Sequence, residues 1–312
     1  MNDYLYLIKV DNLYGFINSS GEVVINPIYK NANNFSDGLA KVTSINGESF
    51  VINTMGEIIF KLQSNIYLNY ENGFSSFRSG NKFGFINNKG EVIIEPKFDL
   101  VVSGFNKEGF AIIKENRRYG TINISGEYII KPKYLSISKY KEHVLSVTNV
   151  NYKSGVIDKY DKIVIEFKFE SIAEFSEGLA CFSEKDKCGF INKNGEVVIE
   201  PKYHSLWGFH NGLSAFTLAP DEPFGFMDKN GNIKIENKYQ TVGDFCDELA
   251  VFTNDDLSGY INKEGEEIIK NVFATAHDFK NSLALVTTVE GEWGYINNKG
   301  EWVYKPKNFN LW

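Results

Sequence analysis

Few side chains in this chain could do chemistry on their own. There are four histidines, His143, His204, His210 and His277, and three cysteines, Cys181, Cys188 and Cys246. His204 and His210 bracket Trp207, which makes residues 204–210 the most unusual short segment of the sequence. Two imidazoles beside an indole could serve a metal or a ligand, but neither the HExxH nor the CxxC spacing of a zinc site occurs. The plainer reading is a solvated loop whose aromatic covers a neighbouring element, with His204, Trp207 and His210 as candidate partner-binding residues. Glutamates recur at Glu22, Glu57, Glu91, Glu127, Glu196, Glu266 and Glu301, each directly after a glycine. Catalytic acids form a unique pair, so this repetition marks them as turn residues. No glycine-rich phosphate loop opens a helix, and no Ser–His or Cys–His arrangement is visible. The sequence therefore offers no catalytic, cofactor-binding or metal-binding residue and implies no cofactor.

Composition narrows the partners. The net charge is −7, which argues against nucleic acid because phosphate contacts need a basic face. No apolar run approaches the roughly 20 residues of a membrane helix, and Met1-Asn2-Asp3-Tyr4 has no signal-peptide pattern. Three cysteines cannot all pair within one chain, so free thiols in a reducing cytoplasm are expected. Cys181 and Cys188 flank one predicted hairpin turn, which leaves a disulfide there as the alternative.

The elements that position these residues come from a repeat. Tyr14-Gly15-Phe16-Ile17-Asn18-Ser19-Ser20-Gly21-Glu22 returns as Phe83-Gly84-Phe85-Ile86-Asn87-Asn88-Lys89-Gly90-Glu91, and nine copies fill residues 1–312 as a single array. The motif glycine is Gly15, Gly84, Gly120, Gly155, Gly189, Gly225, Gly259 and Gly294, with Phe50 in the second copy, at spacings of 34 to 36 residues. Each copy reads as three short antiparallel strands: a lead strand such as 39–42, the motif strand that carries the glycine, and a trailing strand such as 23–25. Between the last two, Asn or Asp opens the turn in all nine copies, and Gly closes it in eight, with Asp161 in the fifth. That pattern predicts a type I turn with a bulge glycine. The trailing strand is expected to stop at its proline (Pro27, Pro96, Pro132, Pro201, Pro306). The motif glycine should let a neighbouring backbone or an aromatic approach closely. Copy two loses the glycine and the proline together (Phe50, Leu62), and copy five has Phe167 for the proline, so a local change of curvature is expected at one or both.

With these residues in place, the chain resembles the bacterial WG-repeat family, named for a Trp-Gly at the motif start. The ninth copy, Trp293-Gly294-Tyr295-Ile296-Asn297-Asn298-Lys299-Gly300-Glu301, is nearest to it, while Trp207-Gly208 is out of phase. The resemblance covers essentially the whole chain and carries over no common activity or catalytic residues. The fold expected is all-β: nine tandem repeats of about 35 residues, stacked as an open solenoid-like superhelix, with residues 305–312 as a C-terminal cap. A closed propeller-like ring is the alternative. The function expected is a non-catalytic scaffold for a protein or peptide partner. The alternatives are a carbohydrate- or cell-envelope-binding module, using the 42 Phe and Tyr residues as platforms, and an enzyme with a site the sequence hides.

Overall fold

A computed structural model describes residues 4–62 and 68–305. The expected cap, 305–312, lies outside the described residues except for Lys305. The described chain is all β, with no helix, and it divides into two compact units. One ends at Lys139 and is joined by the turn Lys159–Asp161; the other comprises Tyr140–Asp158 and the chain from Lys162 onward.

Each repeat forms its lead, motif and trailing strands in order. In repeat one these are Tyr6–Val10, Leu13–Ile17 and Val23–Tyr29, paired antiparallel. Later sheets gain a fourth strand that the repeat pattern left in the link. Asn31–Ala32 pairs with Leu39–Thr43, and Ser205–Leu206 pairs with Leu213–Thr217. The link after one repeat thus becomes the first strand of the next sheet. Four antiparallel strands is also the make-up of a propeller blade. In repeat eight, trailing strand and link run on without a break as Glu267–Ala276, which joins the last two repeats in one seven-stranded sheet.

The trailing strand does not stop at its proline. Val23–Tyr29 passes through Pro27, and the register slips on the way: Phe16 faces Ile25, while Tyr14 faces Tyr29. The extra residues bulge toward the motif strand, where a Cβ on Gly15 would lie 2.5 Å from the Ile25 carbonyl oxygen and 2.6 Å from the Pro27 nitrogen. Proline suits a bulge on an outer strand because its nitrogen has no proton to leave unpaired. Glycine and bulge are therefore one device, which proline suits but does not create, since repeats five, seven and eight keep both with Phe167, Asn237 and Asn271 in its place. Repeat two shows this by losing all three: Ser49, Phe50 and Val51 face Leu62, Lys61 and Phe60 in unbroken register. Its departure from the other repeats is one of pairing.

The turn between motif and trailing strands is built as its sequence demands. The Asn18 amide oxygen accepts from the backbone N–H groups of Ser20 and Glu22, both at 3.0 Å, and its amide nitrogen donates to the Glu22 carboxylate at 2.8 Å. The recurrent glutamates are thus structural acceptors, as again at Asn87–Glu91 and Asn192–Glu196. Repeat seven reverses the pair: Asn232 donates to the Asp228 carboxylate at 3.0 Å. The closing glycine, at positive φ, rests on a trailing-strand side chain of the preceding repeat, which is Phe60 at Gly90 and an isoleucine at Gly56, Gly126, Gly195, Gly231, Gly265 and Gly300. A Cβ on Gly56 would be 3.5 Å from Ile25, and one on Gly126 would be 3.3 Å from Ile94. At Asp161 the side chain instead takes a hydrogen bond from the Tyr134 hydroxyl at 2.5 Å and pairs with Lys133.

Aromatics fill the core in two sets. The link Phe packs on the motif-strand ring beside the glycine, as in Phe16–Phe35 (4.6 Å) and Phe190–Phe209 (4.7 Å). The trailing-strand ring packs on the next lead strand, as in Tyr203–Phe216 and Tyr239–Phe252. In these repeats the two rings that flank a link take different partners. Full burial of such a ring contributes about 1.5–3 kcal/mol, and no single sheet could bury both of its faces alone.

Candidate functional site

The link after repeat six is held in place by backbone bonds. The His204 N–H donates to the Thr217 carbonyl at 2.9 Å, Trp207 to Ala215 at 3.0 Å and His210 to Leu213 at 2.9 Å. Asn211 and Gly212 then turn the chain at positive φ into the lead strand Leu213–Thr217. The side chains of the segment diverge. His204 is exposed at one end of the link. Trp207 is half-buried, with its ring edge-on to Phe224 at 5.7 Å. His210 is exposed at the other end, with Nε2 3.4 Å from an Asp244 carboxylate oxygen.

His204 borders a cleft of about 700 Å³. The lead–motif loop of repeat seven, Ala219-Pro220-Asp221-Glu222-Pro223, forms one wall, while His204, Lys238 and Gln240 stand around the rest. Phe224 lines the cleft and is the ring on which Trp207 rests. In repeats one, three, four, six and eight this loop is a two-residue turn, such as Asp11-Asn12 or Lys185-Asp186. In repeat seven it runs from Leu218 to Pro223, with two prolines to stiffen it and Asp221 at φ 60. The Asn237 amide ties the loop down by donating to the Pro223 carbonyl at 3.0 Å. The cleft carries both signs of charge, with Lys238 facing a loop that holds Asp221 and Glu222.

His210 belongs to a second neighbourhood. Asp244 and Asp278 each precede the buried link phenylalanine of successive repeats, Phe245 and Phe279. Burial pushes the Asp244 carboxyl up, against the pull of His210. Burial likewise raises Asp278, and Asp244 adds to the rise, while His277 and His210 oppose it. The Asp278 carboxylate occupies the space above Gly243, where a Cβ would lie 2.5 Å from Oδ1. His277 and Asp278 line a cleft of about 410 Å³ with Thr241 and Ser258. Among the described residues, no cluster of three or more His, Cys, Asp or Glu side chains could hold a metal ion.

Of the three residues singled out in the sequence, the structure thus links His204 and Trp207 through Phe224 and places His210 with the two aspartates. Sequence reasoning missed the loop 218–223 and the Asp244–Asp278 pair. The lengthened lead–motif turn of repeat seven was visible as a signal. The aspartates carried one too, since both directly precede a link phenylalanine.

The profile of the WG containing repeat matches residues 14–47, 83–119, 119–142, 155–188, 189–218, 224–257, 259–288 and 293–307, well over half of the chain. No curated protein matches the sequence. Among solved structures, the chain is similar to a crystal structure of the eukaryotic initiation factor, with TM-score 0.67, 13% identity, and coverage of 99% of this chain and 96% of that one. It is also similar to the computationally designed Ika8 protein, with TM-score 0.51, 11% identity, and coverage of 84% and 94%. At such identities the likeness concerns the fold alone.

Proposed function

This chain belongs to the family of WG-containing repeat proteins, and from that premise we propose that it is a non-catalytic scaffold that binds a protein or peptide partner beside the link of repeat six. One observation carries the reading. The recurrent side chains are spent on the fold: the glycine on the bulge, the Asn and Glu on the turn, the paired rings on the core. Of the residues that break the repeat, His204 and the loop residues 219–223 line one cleft, and Trp207 rests on Phe224 in its wall. A cleft with an aromatic face and charges of both signs suits a peptide segment, which presents apolar, acidic and basic groups together. Repeat proteins bind in this way, with a uniform frame and a variable surface. Half-buried thiols without a disulfide fit a reducing cytoplasm as the place where the partner is met.

The test is affinity capture on the immobilised chain, with bound material identified by mass spectrometry. A second bait carries residues 204–210 replaced by the equivalent link of repeat one. The expected result is a stoichiometric protein captured by the first bait and lost on the second, with its affinity for the purified chain confirmed by calorimetry. A partner held equally by both baits would remove the site from this surface. Binding only to a glycan array would replace the reading with the carbohydrate alternative.

A further inference from the structure

We propose that Cys181 and Cys188 form a two-coordinate site for a soft monovalent cation, copper(I) or silver(I), held between their two sulfurs. The site adjoins the partner cleft through the Cys188 contact with the His204 carbonyl, but the inference does not rest on the function proposed above. The two residues lie on the lead and motif strands of repeat six, where Cys181 faces Phe190 and Cys188 faces Ser183. They are therefore diagonal neighbours on one face of the strand pair. Their thiols interact with one another, and both pack against the same core of Phe190, Ile199 and Tyr203. Cys188 Sγ lies 3.6 Å from the His204 carbonyl oxygen, and Cys181 Sγ lies 3.9 Å from that of Phe182.

Geometry decides what such a pair can hold. Diagonal neighbours have Cα atoms about 7–8 Å apart. A disulfide needs roughly 4.4–6.8 Å, so closing one would drag the strands together. Two metal–sulfur bonds of about 2.3 Å each, the length found for zinc, span up to about 4.6 Å between sulfurs, a gap that side chains on diagonal neighbours of one face can close by rotation about their own bonds. Zinc itself would need about four ligands. A soft monovalent ion is satisfied by thiolates alone. Loading is then a proton displacement: one monovalent ion and two thiols give a bis-thiolate complex of charge −1 and two released protons. No electron moves, and Cys188 gives up its hydrogen bond to His204.

The experiment titrates the reduced full chain, without oxygen, with copper(I) carried by bicinchoninate. It follows loss of the coloured carrier complex, proton release in weak buffer, and stoichiometry by native mass spectrometry. The expected result is one copper per chain, two protons released, and binding lost in Cys181→Ser and in Cys188→Ser but kept in Cys246→Ser. Circular dichroism reports folding of each variant. Should a serine chain misfold, the corresponding alanine variant takes its place. Copper retained by Cys181→Ser, lost by Cys246→Ser, or never taken from bicinchoninate would overturn the proposal. So would a chain that becomes two hydrogens lighter in place of gaining the ion.

Discussion

Gly120→Ala tests the coupling of glycine and bulge in a repeat that also keeps the proline. A Cβ at this position would lie 2.4 Å from the Ile130 carbonyl oxygen, 2.8 Å from the Pro132 nitrogen and 3.0 Å from the Lys131 carbonyl carbon. All three atoms are main chain, so no rotamer change relieves the clash, and the trailing strand must move off the motif strand. Overpacking costs about 1–3 kcal/mol, and a backbone obstacle belongs in the upper half of that range. Alanine returns about 0.5–1 kcal/mol through its smaller backbone entropy loss. The net expectation is a loss of about 1–2.5 kcal/mol, or about five- to seventy-fold faster amide exchange by opening of residues 118–134. Hydrogen exchange read by mass spectrometry measures it locally. The decisive control is a chain lacking Lys131 and Pro132. That deletion sets Gly120 opposite Lys133, as Phe50 stands opposite Lys61 in repeat two. In that background, alanine at 120 should cost less than about 0.5 kcal/mol. The reasoning is falsified if Gly120→Ala is neutral in the full chain, or if it costs as much in the deleted one.

Three further outcomes are expected. Asn123→Ala removes the acceptor of the Glu127 N–H at 3.0 Å and the donor to its carboxylate at 2.8 Å, so the turn should lose about 1 kcal/mol, seen as faster exchange at 123–127 with distant repeats unchanged. Unaltered exchange there would show the bonds to be idle. The Asn232 side chain, with backbone N–H groups and Lys234, holds the Asp228 carboxyl down to about 2. The stability it contributes is therefore present above its ordinary value of 3.8 and lost as pH falls through about 2; carboxyl NMR titrating Asp228 at or above 3.8 would contradict this. Asp278 has the opposite sign, because burial and Asp244 raise its carboxyl above 3.8. Its cost appears as pH rises through 3.8 and is complete above the raised value, so Asp278→Asn should stabilise the chain at pH 7 and leave it unchanged at pH 3. Urea midpoints that fall at pH 7 would refute it.

Much of the fold was legible because the same constraints recur nine times. The column of Ile17, Ile52 and Ile86 is buried as its β-branched side chains require, and the Asn–Gly turns close as written. The fourth strand was not legible. Ser205–Leu206 is two residues long and pairs with a strand that follows it, so it leaves no alternation to detect. The proline misled for a similar reason. Pro27 was expected to end pairing, whereas a bulge carries the outer strand past it to Tyr29. At the candidate site, the sequence marked 204–210 through its oddity of composition. It could not reveal that the chain sends His204 and His210 to opposite ends of the link, since that depends on which sheet edge each residue meets.

The lead–motif loop has a consequence for how such a protein can change over time. The Asn–Glu turn bonds and the glycine-on-isoleucine contacts between repeats involve the other turn and the trailing strand. The lead–motif loop takes no part in those and is held by single hydrogen bonds, such as Asn237 to the Pro223 carbonyl, and its length varies from two residues at Lys185-Asp186 to six at Leu218–Pro223. A duplicated repeat can therefore inherit its frame unaltered while this one loop drifts in length and composition. Heritable novelty would collect along a single rim of the sheets, and a foreign peptide grafted between Leu218 and Pro223 should be carried without disturbing the stacking beneath it.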